Sequence, residues 1–553
     1  MKPVPLFPAG PADRAPALQT PEDIARMTPA FVRALGREFD LAALSGRLCP
    51  VLLANGEVAV FAVKDYLLGD QIDEIERMVR ARGYRQAQVP RYRLPAPLLL
   101  MVARGQLTVP GLARDGAQQQ ARVSALAALF LDIVRWGVAQ GASDVHINVD
   151  RRREACEIRY TIGGEYVAAG RYAGLSNATL LEVLAVAWMD VRGGNGAVFD
   201  PALEQQGRIA LDVDGTPIML RWASLATDAG PSVCLRILRP DATAAGDLQA
   251  LGYLQDQVRT LERAREREGG AIVLAGVVGS GKSTTIAALM RGIAPARKVI
   301  TLEDPVEYLI GNALQNTLGG ALDQSAWPAF EAKLKTVKRC AMNDLLIGEI
   351  RDLDTGRAFM DLAGSGASLY TTTHAGSAAM IPERLASAAI GVSRDFLATP
   401  GILKLLVYQT LLPRLCDRCA LPADSLRTAG DAAGADSRAW MARIAAAFQL
   451  DPGALRVRNA AGCADCRRAD LPELNGIAGR CVAAEMIEPE RMEGFLECVR
   501  TRDNLGLKQA TRGAQALHSA LYRVNLGEID PRALPRRFDL DAAMRQADAG
   551  EGA

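Results

Sequence analysis

The sequence predicts an α/β protein of several domains, and three observations carry that reading. At 553 residues the chain is longer than one hydrophobic core usually organises. Short apolar runs of strand length alternate along it with longer segments of helical periodicity. In the C-terminal half, four strand-like runs each end in glycine, acid or histidine side chains, the pattern of a parallel sheet with one functional edge.

Residues 1–30, which open on a stretch rich in Pro and Ala, are expected to be disordered. Residues 31–113 read as a small α/β domain. The run after Pro50 gives strand, turn and strand with Asn55-Gly56 as the turn, then a helix over Gln71–Arg82 and another short strand. Residues 118–238 read as a second α/β domain. Val123, Leu126, Leu129, Phe130 and Ile133 fall at helical spacing within 118–140, followed by Ala142-Ser143-Asp144-Val145-His146 and a strand over Cys156–Ile162. A helix over Thr179–Met189 and strands over Arg208–Val213, Ile218–Ala223 and Ser232–Leu238 complete it. Residues 239–250, rich in Pro, Ala, Gly and Asp, are the expected linker. A larger domain follows over 251–410, then a cysteine module over 411–485 and a helical region over 486–553.

Composition excludes several classes. With 49% hydrophobic and 23% charged residues the chain has the balance of a globular protein. Its longest apolar stretches, such as Leu98–Ala103, fall far short of the roughly 20 residues that cross a bilayer. The N-terminus lacks the continuous apolar run of a signal peptide, so a cytoplasmic location is expected. A net charge of +1 gives no bulk reason to bind nucleic acid.

The most specific motif is Gly276-Val277-Val278-Gly279-Ser280-Gly281-Lys282-Ser283, a complete G-x-x-x-x-G-K-[ST] between the apolar strand Ala271–Ala275 and a helix from Thr284. Each residue type has a task there. The glycines let the backbone curl so that N–H groups face phosphate oxygens, and the helix N-terminus adds partial positive charge. Lys282 brings a full charge to the β and γ phosphates, and Ser283 offers a hydroxyl to Mg²⁺. ATP and Mg²⁺ are therefore the expected ligands. Strands over Lys298–Leu302, Leu345–Gly348 and Ser368–Thr373 end in Glu303-Asp304-Pro305-Val306-Glu307, Glu349-Ile350-Arg351-Asp352 and His374. A carboxylate at that edge can orient attacking water, and another can reach the Mg²⁺ shell.

Cys416-Asp417-Arg418-Cys419 and Cys463-Ala464-Asp465-Cys466 form a pair of Cys-x-x-Cys pairs. In a chain expected in a reducing compartment, four such thiolates point to structural Zn²⁺. The segment between the pairs is longer than in common zinc ribbons and leaves room for a helix over Ser437–Phe448.

The order of these boxes, with Thr301-Leu302-Glu303-Asp304-Pro305-Val306-Glu307, Leu346-Ile347-Gly348-Glu349-Ile350-Arg351-Asp352 and Thr372-Thr373-His374-Ala375, resembles the secretion ATPase superfamily. The resemblance covers about 120–530 and implies a PAS-like second domain followed by a RecA-like P-loop ATPase domain carrying a tetracysteine zinc module. By the same resemblance Glu303 polarises the attacking water, Glu349 is the Walker B acid, Asp304 arranges the metal's water shell and His374 senses the γ-phosphate. Arg221 and Arg236 look like the family's paired arginines that close over that phosphate, Lys335 and Arg339 match two basic residues before the Walker B strand, and Thr284 ends the phosphate-binding set. The tetracysteine element, with Gln409–Leu415 before it and Gly479-Arg480 after it, is similar to that of type II secretion and pilus extension ATPases, which retraction motors lack. Two places depart from the family pattern: Ala341-Met342-Asn343 stands where Asp-Pro-Asp is usual, and Thr161-Ile162-Gly163-Gly164 where a basic-apolar-Asp-Gly turn is usual.

The resemblance implies a homo-hexameric, ATP-hydrolysing motor at the cytoplasmic face of the inner membrane, powering type IV pilus assembly or type II protein secretion. Its implied partners are a polytopic platform protein and a membrane-anchored cytoplasmic adaptor, with no nucleic acid. The alternative is a DNA-transfer ATPase of type IV secretion or conjugation, or another RecA-like nucleic-acid motor, which stimulation by single-stranded DNA would reveal. A regulatory nucleotide binder with little turnover is a third reading, opposed by the presence of Glu303 and Glu349.

Overall fold

The structure is a computed structural model that describes residues 15–36, 38–39, 47–103, 116–153, 157–239, 247–318, 326–427, 432–511 and 515–550. Most of the expected linker, 240–246, lies outside the described residues, as does 1–14. The chain forms two compact units, Met1–Arg159 with Tyr172–Val213 and Leu220–Arg236, and Tyr160–Arg171 with Asp214–Met219 and Ile237–Ala553.

The first unit opens on a four-stranded sheet in the order β1-β2-β3-β4: β1 (Phe31–Ala34), β2 (Leu48–Leu53), β3 (Glu57–Ala62) and β4 (Arg85–Arg93). Gly56, at φ 78°, takes the left-handed turn between β2 and β3 that a side chain would strain. β3 and β4 run parallel, so the chain between them must cross over, and the helix Asp70–Ala81 does so with Ile72, Ile75 and Val79 turned into the core. Residues 15–30 depart from the disorder expected of them. Leu18, Ile24 and Met27 are buried, a helix forms over Pro21–Ala25, and Leu18 N–H donates to Arg93 O at 2.9 Å, because three well-spaced apolar side chains outweigh the Pro and Ala around them.

A six-stranded sheet follows in the order β7-β6-β5-β10-β9-β8, from β5 (Ala142–Asn148), β6 (Glu157–Ile162), β7 (Glu165–Ala168), β8 (Gln205–Val213), β9 (Thr216–Thr227) and β10 (Gly230–Leu238). The helices Gly116–Ala139 and Asn177–Trp188 accompany it, the second capped by Ser176, whose Oγ accepts from Thr179 N–H at 3.1 Å.

The second unit is built on a seven-stranded sheet in the order β13-β12-β14-β15-β11-β16-β19: β11 (Ala271–Ala275), β12 (Val299–Glu303), β13 (Ala313–Thr317), β14 (Asp344–Glu349), β15 (Ser368–Thr373), β16 (Leu403–Leu415) and β19 (Ile477–Ile487). Every pairing is parallel except β16 with β19. β11 is buried at every residue: Ala271, Val273 and Ala275 enter the core on one face and Ile272 and Leu274 that on the other. A strand covered on both faces reads as an unbroken apolar run, which is how the sequence presents it. The helix Gln255–Glu266 leads into β11, and helices Lys282–Arg291, Ala326–Val337 and Leu353–Ala363 lie between successive parallel strands.

The cysteine region is not bounded at 411 and 485 as expected. β16 and β19 are an antiparallel pair of the large sheet, so the cysteines sit on an excursion between them, 416–476, which contains the small pair β17 (Leu421–Pro422) and β18 (Arg456–Val457) and the helix Ala432–Ala447. Met441 and Ile444 of that helix share a core with Leu412 of β16 and with Leu517, Ala520 and Val524 of the C-terminal helix Ala516–Asn525. The excursion and the helical C-terminus are thus packed as one body.

Candidate active site

The carboxyl ends of β11, β12, β14 and β15 gather most of the singled-out side chains. The loop after β11 takes positive φ at Gly276, Gly279 and Gly281 (152°, 75° and 85°), the last being the N-cap of the helix Lys282–Arg291. Its backbone winds tightly enough that Lys282 Nζ donates back to Gly276 O at 2.8 Å and Val277 O at 3.2 Å. Burial lowers the Lys282 ammonium below its ordinary range, against the opposing pull of the Glu349 and Glu307 carboxylates. Val277 and Val278 stand out from the loop, 48% and 69% exposed. In the helix's first turn, Thr284 Oγ1 lies 3.0 Å from the Tyr308 hydroxyl.

Glu349 and His374, from adjacent strands, meet over this loop. His374 Nε2 is 3.0 Å from Glu349 Oε1, and its Nδ1 is 3.1 Å from Gly276 O. Both ring nitrogens therefore face acceptors, and a neutral imidazole donates to one of them only. The chain Glu349–His374–Gly276 O connects the end of β14 to the first residue of the loop.

Glu303 ends β12 and lines a small cavity together with Ser283, Tyr308, Gly348 and Thr372. Burial raises its carboxyl above the ordinary range. Gln315 of β13 holds it: Nε2 donates to Glu303 Oε1 at 3.1 Å and to Tyr308 O at 2.9 Å, while its Oε1 accepts from Ile310 N–H at 2.8 Å. Asp304 follows, exposed at the strand's end.

Sequence reasoning missed Gln315, Gln409 and Tyr253. Each acts through a partner on another element, and a single polar side chain gives no local signal of that.

The two arginines belong to the first unit. Arg221 is exposed on β9. Arg236 lies opposite Asp144 in the β10–β5 register, and its Nε donates to Asp144 Oδ1 at 3.0 Å. Asp144 is buried, so the acid of the Ala142–His146 signature is the residue that orients Arg236. Lys335 pairs with Glu331 one turn back on its own helix, at 2.8 Å.

Cys416, Cys419, Cys463 and Cys466 bring their sulfurs within 4.8 Å of one another, with separations of 3.8 Å for Cys416–Cys463, 3.5 Å for Cys419–Cys466 and 3.7 Å for Cys463–Cys466. A tetrahedral ion bound to sulfur at about 2.3 Å puts its ligands about 3.8 Å apart, so the four sulfurs are clustered on the scale such an ion requires. Each pair closes a turn on itself: Cys419 N–H donates to Cys416 O and Cys466 N–H to Cys463 O, both at 3.2 Å. Among the described residues no helix is long and apolar enough to cross a membrane.

Comparison with known proteins agrees with this arrangement. The profile of a family described as Type II/IV secretion system protein matches residues 119–530. The Type II secretion system protein HxcR of Pseudomonas aeruginosa is 32% identical over 286 residues, 51% of this chain and 57% of that protein. The Type II secretion system ATPase E of Vibrio cholerae is 28% identical over 292 residues, 52% of this chain and 54% of that protein. The Type IV pilus assembly ATPase PilB of Thermus thermophilus is 25% identical over 422 residues, 74% of this chain and 43% of that protein. The chain thus spans about half the length of the curated relatives it matches. With a family profile running from the long helix of the first unit to the C-terminal helices, over residues 119–530, the chain belongs to the type II/IV secretion system protein family.

Proposed function

We propose that this chain hydrolyses ATP as a hexameric motor for type II protein secretion or type IV pilus assembly, working from the cytoplasmic face of the inner membrane. The observation that carries the reading is the convergence on one sheet edge of the Gly276–Ser283 loop with Lys282, the buried Glu303 and the Glu349–His374 pair. In this reading the loop N–H groups and Lys282 hold the β and γ phosphates. The carbonyl acceptors of Lys282 are neutral, and a phosphate oxygen displaces them because the charge-assisted bond is the stronger. Glu303 takes the proton of the attacking water, and Gln315 holds the carboxylate in place through Oε1. Mg²⁺ bound with the nucleotide would neutralise charge on the transferred phosphoryl group, and Ser283, with Glu349 and Asp304 through water, supplies the hard oxygen donors it requires. His374, held between Glu349 and the loop, reports on the γ-phosphate by exchanging one of those partners for it.

Arg221 and Arg236 supply the link to movement. A guanidinium that grips the γ-phosphate does so only before hydrolysis, so each subunit alternates between two forms as the phosphate comes and goes. Arg236 is prepared for that role by Asp144, whose buried carboxylate accepts from its Nε at 3.0 Å and fixes the side chain on β10. The Arg221→Ala, Arg236→Ala double variant is expected to bind ADP within about twofold of wild type and to lose about a hundredfold or more in ATP hydrolysis. Paired calorimetry and phosphate-release measurements check this, and wild-type hydrolysis would remove both arginines from the mechanism.

The four cysteines hold one structural Zn²⁺ per chain. Such a site contributes on the order of 10 kcal/mol of apparent binding energy to its local fold. Cys463→Ser is therefore expected to release the metal and open 416–476 to protease. Elemental analysis of the purified chain tests it: a zinc content near zero in the wild type sinks the assignment.

The partners in this reading are five further copies of the chain, a polytopic platform protein of the inner membrane and a membrane-anchored adaptor. Loss of secretion or piliation in a deletion strain, restored by the wild-type chain and not by a Lys282→Ala chain, is the expected cellular result. Restoration by Lys282→Ala would separate the cellular role from ATP.

A further inference from the structure

Beneath the loop lies a buried hydrogen-bonded group that the hydrolytic steps do not use. Gln409 of β16 is fully buried. Its Nε2 donates to Ser280 O at 2.7 Å, and its Oε1 accepts from the Tyr253 hydroxyl at 2.6 Å. That hydroxyl is also 3.2 Å from Thr285 Oγ1, in the first turn of the helix that follows the loop.

The glycines show how closely β16 underlies the loop. A Cβ on Gly276 would come within 2.4 Å of Gln409 O, and one on Gly281 would meet Gln409 Nε2 at 3.3 Å and Leu411 Cδ1 at 3.6 Å. A Cβ on Gly279 would meet nothing within 4 Å. Two of the three motif glycines are thus packed directly on Gln409 and its neighbour, and the third faces the open side.

A trans peptide is planar, with its carbonyl and its N–H pointing in opposite directions. Gln409 draws the Ser280 carbonyl down towards β16, so the Gly281 N–H of the same peptide is turned up towards the concave side of the loop. The amide of Gln409 could stand either way round, but Tyr253 offers a hydroxyl to its oxygen and leaves the NH₂ for Ser280.

We propose that Gln409 is a positioning residue for the phosphate cradle, aiming the Gly281 N–H at the phosphates, and that Tyr253 sets the orientation of the Gln409 amide. The proposal rests on the reading of the loop as the nucleotide site. Gln409 is fully buried beneath the loop and bonded to its backbone, so it acts on nucleotide affinity more than on the chemical step.

The test is ADP affinity by calorimetry on the full chain, with ATP kinetics alongside, for wild type, Gln409→Met, Gln409→Glu, Tyr253→Phe and Lys282→Ala. Thr410→Val, a buried neighbour on the opposite face of the same strand, is the control for packing. Gln409→Met is expected to weaken ADP binding about tenfold and to raise the KM for ATP by a similar factor, with kcat lowered less than about threefold. Gln409→Glu keeps the size and the acceptor for Tyr253 and, once ionised, has no donor for Ser280, so at a pH high enough to ionise this buried carboxyl it should behave like Gln409→Met. Tyr253→Phe should weaken ADP about threefold and Thr410→Val less than twofold. ADP affinity within twofold of wild type in both Gln409 variants overturns the proposal while the nucleotide site stands. If neither Gln409 variant folds, unchanged affinity in Tyr253→Phe overturns it. A wild-type chain that binds no ADP, or a Lys282→Ala chain that binds it equally well, refutes the underlying reading instead.

Discussion

Lys282→Ala is expected to reduce ATP turnover by about a thousandfold or more, to the background of the assay. The loop N–H groups carry only partial charges, and Lys282 is the one side chain that places a full positive charge at the loop, 2.8 Å from Gly276 O. Burial has lowered its ammonium, so part of the cost of bringing that charge out of water is already met in the fold. Lys282→Arg is not a rescue, because the larger planar fork does not fit between two carbonyls of the loop. Phosphate release at saturating ATP measures the effect, and turnover within tenfold of wild type would place the catalytic phosphate site elsewhere.

Glu303→Gln is expected to leave ATP binding within about threefold of wild type and to lower hydrolysis by roughly a hundred- to ten-thousandfold, the range of a general base. The amide preserves the shape against Gln315 and removes only the capacity to take a proton. The pH dependence carries the same assignment. The base works as a carboxylate, and burial raises the Glu303 carboxyl, so hydrolysis is lost on acidification at a higher pH than an exposed glutamate would give. The acid limb of kcat/KM should disappear in what activity Glu303→Gln retains. Near-normal hydrolysis in Glu303→Gln would transfer the role to Glu349, the other acid at this edge.

Much of this site was legible because its signals are local. β11 and β15 match the expected strands Ala271–Ala275 and Ser368–Thr373 residue for residue; both are buried throughout, β11 as an unbroken apolar run and β15 as a run rich in β-branched threonine. The Cys-x-x-Cys spacing likewise encodes its own turn, with the second cysteine's N–H returned to the first one's carbonyl. Where the sequence misled, distant contacts decided. The cysteine module is expected to begin at 411, yet β16 runs from Leu403 through Pro413 to Leu415. At that end it pairs with β19 across an irregularity that accommodates the missing N–H. Tyr253 and Gln315 carry no motif, and Gln409, although it opens the Gln409–Leu415 run before the cysteines, acts like them through a partner on another element.

The central claim is that the Gly276–Ser283 loop, Glu303 and Glu349 together form a working ATPase that serves a secretion or pilus machine. Steady-state phosphate release by the purified full chain tests it most directly. Measurements with Mg²⁺ and ATP, with and without single-stranded DNA, are run beside the Lys282→Ala chain. The account predicts magnesium-dependent turnover that the Lys282→Ala chain lacks and that DNA leaves unchanged. Turnover no greater than that of Lys282→Ala would contradict hydrolysis itself, and strong stimulation by DNA would make the chain a nucleic-acid motor.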